Sequence, residues 1–366
     1  MKKKIKSSIP FLFSFALVTS LLVSCQRKQS SDTGQASLRQ TVQADLPPRV
    51  EIDSSEISLP GEVASDERPQ GETQMQLCAQ DIRLQRKLLY DHYTLQDTYA
   101  YGDSTRTLQW ETIKEHLARI ENMQLSHPKW VVMQNYKNMN REAPTVPNYR
   151  RNEYGRVADT LGVERFQSVP LYLPQDSVQP TLYGRDGSIA KYVETNGGYY
   201  LVDPLMVEGQ WLVPRRYVKE LPDTTFFGHV VVVDRNYQNI VTLERERRGS
   251  WLIRSANPAT TGQAKPPYAQ KTPLGVFLIQ QKKKRMYYLH DGGSEVAGYA
   301  PFASRFTSGA YIHGVPVPDP KGAIIEYSPS LGTTPRSHMC VRNASSHAEF
   351  VYNWAPTEKT LVIVIE

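Results

Sequence analysis

The sequence predicts an α+β multidomain protein: an N-terminal helical region, then a small β-barrel, then a mostly-β C-terminal domain. Three observations carry this expectation. Apolar residues recur at helical spacing between Met75 and Asn140. Turn dipeptides at regular intervals bracket short β-rich runs from Ser168 onward. Two unbroken aliphatic runs, Val230–Val233 and Leu361–Ile365, bound the last stretch. With 366 residues, 40% of them apolar, the chain can fill about two or three cores.

Residues 1–24 read as a secretory signal, with lysines first and then an apolar run from Ile9 to Val23. The run is too short for a comfortable membrane span. Leu22-Val23-Ser24-Cys25 resembles the bacterial lipobox, whose cysteine becomes the lipidated first residue of the mature chain. Residues 25–75 are rich in Ser, Gln, Asp, Glu and Pro, and bury too little to offset their ordering entropy. As a flexible tether they would reach roughly 35–40 Å. Together these segments predict a lipid-anchored protein of the cell envelope, on the periplasmic face of a bacterial membrane.

The formal charge of +6 falls to +2 once Lys2, Lys3, Lys4 and Lys6 of the signal are set aside, so no nucleic-acid partner is expected. Three scattered cysteines make neither a disulfide framework nor a zinc site, and no phosphate-cradling glycine loop occurs. No metal and no cofactor are predicted.

In the helical region, residues 76–164, Leu84, Leu88 and Leu95 share a helical face that Asp91 interrupts. Ile113, Leu117 and Ile120 mark a second helix with Thr107 as its N-cap, and Pro128 opens a third through Trp130 and Tyr136. Cys78 reads as a small apolar residue that stays apart from Cys340. No function attaches to this region. In residues 165–223, the turns Asp186-Gly187, Asn196-Gly197 and Glu208-Gly209 separate the runs Ile189–Thr195, Tyr199–Val202 and Trp211–Val213, as in a small barrel. The closing Gly209–Pro214 and Tyr217-Val218 resemble the end of bacterial Src-homology-3-like domains. Tyr192, Tyr199, Tyr200 and Trp211 form either a peptide groove or the barrel's core and rim.

Residues 224–366 make the C-terminal domain. Lys271–Phe277 reads as a turn entering a strand, with Pro273 fixing the backbone and Gly275 relieving crowding. Lys282-Lys283-Lys284-Arg285 is expected at a hairpin tip. The chemistry concentrates in Ile312-His313-Gly314 and Arg336–Arg342. A thiol with imidazoles near it suits nucleophilic acyl transfer, because histidine can take the thiol proton and return it to an amine.

In order, Val230–Val233, Thr272-Pro273-Leu274-Gly275-Val276-Phe277, His313-Gly314 and Ser337-His338-Met339-Cys340-Val341-Arg342 resemble the L,D-transpeptidase catalytic family. The resemblance implies Cys340 as nucleophile and His313 as general base, oriented by the carbonyl of Gly314. His338 is the competing base, read as a secondary contributor lining the site. Backbone N–H groups of Met339 and Cys340 are candidates for an oxyanion hole. Arg342 would engage a substrate carboxylate, and Ser337 would steady the loop. Two features depart from the pattern. Met339 stands where the family has Gly, so it either strains a left-handed turn or reshapes the pocket. The stretch between His313 and Ser337 is long, and Pro316, Pro318 and Pro320 suggest a stiffened lid.

The resemblance implies a transpeptidase acting on peptidoglycan stem peptides. Cys340 would form a thioester with a stem tetrapeptide and pass the acyl group to an amine of another stem or of a protein. Two alternatives stay open: an L,D-carboxypeptidase or cross-link hydrolase using the same residues, and a catalytically inactive wall-binding lipoprotein.

Overall fold

The computed structural model describes residues 75–366. The chain divides into Met1–Thr73 and Gln74–Glu366, and the described residues fall in the second unit. The expected signal, Cys25 and all of the tether except Met75 lie outside them. Among the described residues no helix is long and apolar enough to cross a membrane.

Extended chain, not helix, opens the described part. β1 (Arg83–Arg86) is followed by the hairpin of β2 (Thr98–Tyr101) and β3 (Ser104–Thr107). The helix expected from Ile113, Leu117 and Ile120 is present as α1 (Trp110–Gln124), with all three residues buried. Its N-cap is Gln109, two residues after Thr107, which ends β3. Within 76–164 the other two expected helices are corrected. Around Leu84 the chain runs beside a strand more than 160 positions away, a partner that local periodicity cannot reveal. Around Trp130 the chain forms β4 (Trp130–Met133), whose two valines and complete burial on both faces favour a central strand.

The small β unit takes β4 as one of its strands, so it reaches back before residue 165. After it come the short β5 (Arg150–Arg151) and β6 (Val157–Ala158), and the ribbon of β7 (Ser168–Leu171) and β8 (Leu182–Arg185). Then follow β9 (Ile189–Asn196), β10 (Tyr199–Pro204), β11 (Trp211–Pro214) and β12 (Val218–Glu220). The sheet order is β11-β10-β9-β4-β12. Tyr200 and Trp211 are buried in its core, while Tyr192 packs on Tyr200 at its edge. Gly187 sits at φ +84° where a Cβ would lie 2.0 Å from the carbonyl oxygen of Phe306 in the C-terminal domain. Only glycine fits that turn.

The C-terminal domain begins with β13 (His229–Asp234), β14 (Asn239–Arg247), β15 (Ser250–Pro258) and β16 (Gly275–Leu278). It continues with β17 (Gln281–Leu289), β18 (Val296–Thr307), β19 (Ala310–His313), β20 (Val341–Arg342), α2 (Ser345–Trp354) and β21 (Thr360–Ile365). A six-stranded sheet runs β1-β15-β14-β13-β21-β16, and a four-stranded sheet runs β17-β18-β19-β20. The aliphatic runs in β13 and β21 are parallel neighbours at its centre, covered on both faces. One face packs on the second sheet and α2 through Val231, Val362, Phe306 and Val351. The other packs on α1 through Ile113, Leu117, Val232 and Leu361. Glu121 of α1 is 2% exposed and accepts Arg245 Nε at 2.9 Å and Trp251 Nε1 at 3.1 Å, fixing the helix on the sheet. The run Lys282–Arg285 is not a hairpin tip. It lies inside β17, the edge strand of the smaller sheet, where charged side chains keep an open edge from pairing with another chain.

Candidate active site

The histidine and the cysteine arrive on adjacent strands. β19 and β20 run parallel with Ile312 opposite Val341 and His313 opposite Arg342, so Cys340 enters the sheet beside Tyr311. Parallel pairing joins residues 29 positions apart and fixes which residues share a face. Cys340 carries a free thiol, not joined to Cys78. Its sulfur lies 3.6 Å from the carbonyl oxygen of Gly309, at the turn between β18 and β19.

The loop before Cys340 is tied down along its length. Arg336 and Ser337 donate their N–H groups to the Thr261 carbonyl at 2.9 and 3.0 Å. Gln263 N–H donates to the Ser337 carbonyl and Gln270 N–H to the His338 carbonyl. The buried Thr272 hydroxyl donates to the Met339 carbonyl at 2.8 Å, and the Ser337 hydroxyl donates to the carbonyl of Cys340. Thr272 therefore holds the loop, a role that the sequence of Lys271–Phe277, a turn entering a strand, does not mark. Met339 is absent from the described residues with positive φ, and its side chain packs on the core between the two sheets. Of the two expected alternatives, a strained left-handed turn is absent, and Met339 lines a cavity. The chain makes room elsewhere: a Cβ on Gly262 would stand 2.8 Å from Met339 Cα. The N–H groups of Met339 and Cys340 donate to no acceptor among the described residues.

His313 is 3% exposed, and its Nδ1 lies 2.6 Å from the carbonyl oxygen of Gly314. A carbonyl only accepts, so Nδ1 carries the proton and Nε2 of the neutral ring holds the lone pair. Burial pushes the imidazole down to about 4; the Gly314 carbonyl opposes the shift, and the Arg342 guanidinium adds to it. The ring is thus neutral near pH 7. Burial pushes the Cys340 thiol up, while the Tyr311 backbone N–H and Arg342 pull it down. Gly314 is enforced sterically, because a Cβ there would meet Ser345 Oγ at 2.5 Å and Pro301 Cγ at 2.9 Å.

Cys340, His313, His338, Ser337 and Arg342 all line one cavity of about 640 Å³. Met339 lines an adjoining cavity instead, and Gly314 contributes its carbonyl from behind His313. His338 is half exposed and turns Nε2 to the Asp291 carboxylate at 2.9 Å. Arg342 has no acidic partner among the described residues, and its Nε is buried without a hydrogen bond. The long stretch after His313 forms the cavity wall through Pro316 and Pro318. It is anchored: Val317 bridges Tyr299, Tyr327 stacks on Tyr93 at 4.6 Å, and Glu326 accepts the N–H groups of Ser345 and Ser346. Reading the sequence missed Gly309, Tyr311 and Asp291, because nothing local marks a turn carbonyl, a strand amide or a rim carboxylate as a neighbour of Cys340. A neutral imidazole with an accepting nitrogen, a thiol and two idle N–H groups in one place can move a proton from sulfur and hold a developing oxyanion.

Residues 228–364 match the family model of the L,D-transpeptidase catalytic domain (YkuD), less than half of the chain. No curated protein matches the chain significantly. Among solved structures, an L,D-transpeptidase from Mycobacterium tuberculosis H37Rv is 20% identical with a TM-score of 0.32, over 48% of this chain and 76% of that one. An L,D-transpeptidase from Mycobacterium smegmatis is 16% identical with a TM-score of 0.31, over 48% and 82%. A fused Zn-dependent amidase/peptidase with a peptidoglycan-binding domain, from Clostridium acetobutylicum ATCC 824, is 16% identical with a TM-score of 0.28. There the match covers 38% of this chain and 53%, about half, of that protein.

Proposed function

We propose that the chain, whose C-terminal domain matches the L,D-transpeptidase catalytic family, is a peptidoglycan L,D-transpeptidase with Cys340 as nucleophile and His313 as general base. The single observation behind these roles is the 2.6 Å contact of His313 Nδ1 with the Gly314 carbonyl oxygen, which calls for a proton on Nδ1 and leaves Nε2 to accept one in the cavity that Cys340 also lines. Because burial raises the thiol, a standing thiolate is disfavoured, and the proton leaves the sulfur as the sulfur attacks. The attacked carbonyl joins the third and fourth residues of a stem tetrapeptide. The C–S bond forms, and the carbonyl oxygen takes negative charge toward the N–H groups of Met339 and Cys340. Imidazolium then gives the proton to the departing nitrogen, and D-alanine leaves. An acceptor amine attacks the thioester; its proton passes through His313 to the sulfur as the C–S bond breaks. Arg342, with no counter-ion among the described residues, would take a substrate carboxylate. His338, held by Asp291, lines the site as a secondary contributor.

The same reading places the enzyme in the cell envelope, tethered through a lipidated Cys25 and residues 25–75. Its support is the Leu22–Cys25 motif at the end of the apolar run. Failure of Cys25→Ala to release the chain from the membrane fraction would count against it.

The catalytic test is adduct formation with a carbapenem, followed by intact mass. Wild type gains the mass and Cys340→Ala does not. His313→Ala slows acylation by roughly 100-fold or more, and His338→Ala by less than about 10-fold. An adduct surviving Cys340→Ala, or equal losses for the two histidines, contradicts the assignment. On stem tetrapeptides, cross-linked dimers support transfer, whereas only trimmed monomers would establish hydrolysis instead.

A further inference from the structure

A second cavity, of about 660 Å³, meets the first at Gly309 and His338. The nucleophile loop forms the partition, since Met339 lines the second cavity and Cys340 the first. Its walls come largely from outside the segment that matches the family. They include Arg185 at the end of β8, together with Leu161, Phe166 and Met206. These three apolar side chains, with Tyr268 and Leu274, are each 39–60% exposed, and all five line this one cavity. Large apolar residues gathered at a cleft, not scattered singly, mark a binding surface.

Charge is unevenly settled there. Arg156 is paired with Glu164 at 3.1 Å, and Arg235 with Glu366 at 2.5 Å. Arg185 has neither an ion pair nor a side-chain hydrogen bond among the described residues, although burial disfavours its charge. The carboxylates that act on it are already used. Asp159 accepts the N–H groups of Leu161, Val163 and Tyr183, and Glu164 accepts Arg156, Asn152 and Gln270. Lys271 also lines the cavity with no ion pair among the described residues, as does one carboxylate, Glu153, which hydrogen-bonds Tyr154. A half-buried guanidinium with no ion pair among the described residues is complementary to an incoming carboxylate, which it can take with two parallel hydrogen bonds.

We propose that this cavity binds the acyl acceptor, an amine-bearing peptide whose carboxylate sits on Arg185 and whose body lies over Leu161 and Phe166. The proposal rests on the transpeptidase reading. The acceptor amine would then reach the thioester past Met339, from the side opposite the cavity that held the donor. Acceptor choice would belong to residues 153–206 of this chain and not to the catalytic segment itself.

The test uses the full chain and a stem tripeptide with a free side-chain amine, prepared as the carboxylate and as the carboxamide. With wild type, the carboxylate form should be the better acceptor by roughly 10–100-fold in kcat/KM, mainly through KM. Arg185→Gln should abolish that preference by slowing the carboxylate form alone, and Arg185→Lys should restore part of it. Calorimetry on Cys340→Ala should show the carboxylate tripeptide binding and the binding lost when Arg185→Gln is added. No preference in wild type, or unchanged binding with Arg185→Gln, overturns the proposal. The wild-type comparison needs no variant to fold. Absence of any acyl adduct on Cys340 overturns the transpeptidase reading instead, and binding to Cys340→Ala is read without chemistry.

Discussion

Asp186 of the small β unit and Arg305 of the C-terminal domain meet at 2.6 Å, the carboxylate side chain wholly buried and the guanidinium 8% exposed. The same carboxylate accepts the Ser308 N–H at 2.9 Å and Gln280 Nε2 at 3.1 Å. The Asp186 backbone carbonyl accepts the Thr307 hydroxyl at 2.6 Å. One residue past Ser308 is Gly309, whose carbonyl faces the Cys340 sulfur. A turn of one unit thus holds the hairpin that borders the thiol in the other.

Asp186→Ala leaves Arg305 charged and buried with no counter-ion, so it should lower unfolding free energy by about 3–5 kcal/mol. Asp186→Leu combined with Arg305→Met removes both charges and should cost clearly less. Urea unfolding of the single and double variants checks this. Equal losses would show that the carboxylate's hydrogen bonds from the Ser308 and Asn135 N–H groups and from Gln280, and not the stranded charge, dominate.

Much of this arrangement was legible, and the part that was not has a common cause. Val230–Val233 and Leu361–Ile365 declared themselves as buried strands through composition alone, and the glycine turns at Gly187, Gly197 and Gly209 fall where positive φ occurs. His313, Cys340 and Arg342 were readable because their residue types cluster in a recognisable order. What failed depended on partners distant in sequence. Leu84 and Leu88 have helical spacing, yet β15 recruits that segment as an edge strand. Trp130 follows a proline suited to a helix start, yet β9 and β12 flank it on both sides. Gly309, Tyr311 and Asp186 carry no local mark of their role, since only the fold brings them near the thiol or the hairpin beside it.

Two buried histidines make stability depend on pH. Burial lowers His313 to about 4 and His347 to about 3, against an ordinary 6.5. Between those values the unfolded chain binds more protons than the folded one. The stability they confer is therefore fully present above about pH 6.5 and is lost as pH falls through the folded values. Denaturant titrations at pH 7.5 and 4.5 should differ by at least about 2 kcal/mol. His347 accepts a hydrogen bond from Asn343 at Nδ1 and faces the Ser255 hydroxyl at Nε2, so His347→Gln should flatten the dependence. An unchanged slope would show that His347 is not one of the titrating groups.

Gly314→Ala places a methyl 2.5 Å from Ser345 Oγ and 2.9 Å from Ser345 Cα. Ser345 cannot yield freely, because its hydroxyl donates to the Ile325 carbonyl at 2.6 Å and accepts the Val315 N–H. Overpacking of this kind costs about 1–3 kcal/mol. It also shifts the carbonyl that fixes the His313 tautomer. Carbapenem acylation should slow by roughly 10-fold or more even where the variant remains folded. Normal acylation kinetics in a folded Gly314→Ala would show that His313 does not need this carbonyl.

Met339→Gly tests whether the departure from the family pattern is strained or accommodated. Met339 avoids positive φ, its carbonyl is held by Thr272, and its side chain packs on the core between the sheets. Glycine would remove that packing and raise the entropy of the unfolded chain. The melting midpoint should fall, by an amount equivalent to about 1–3 kcal/mol. A rise would mean that methionine is strained after all. The mirror change, Gly262→Ala, presses a methyl to 2.8 Å from Met339 Cα and 2.2 Å from the Gln270 carbonyl oxygen. It should displace the nucleophile loop and reduce acylation more than Met339→Gly does, because backbone on both sides leaves the methyl nowhere to go. Acylation rates and melting curves on the two variants separate the cases: a loop tolerant of Gly262→Ala would show that Cys340 is not positioned by close packing against residues 261–272.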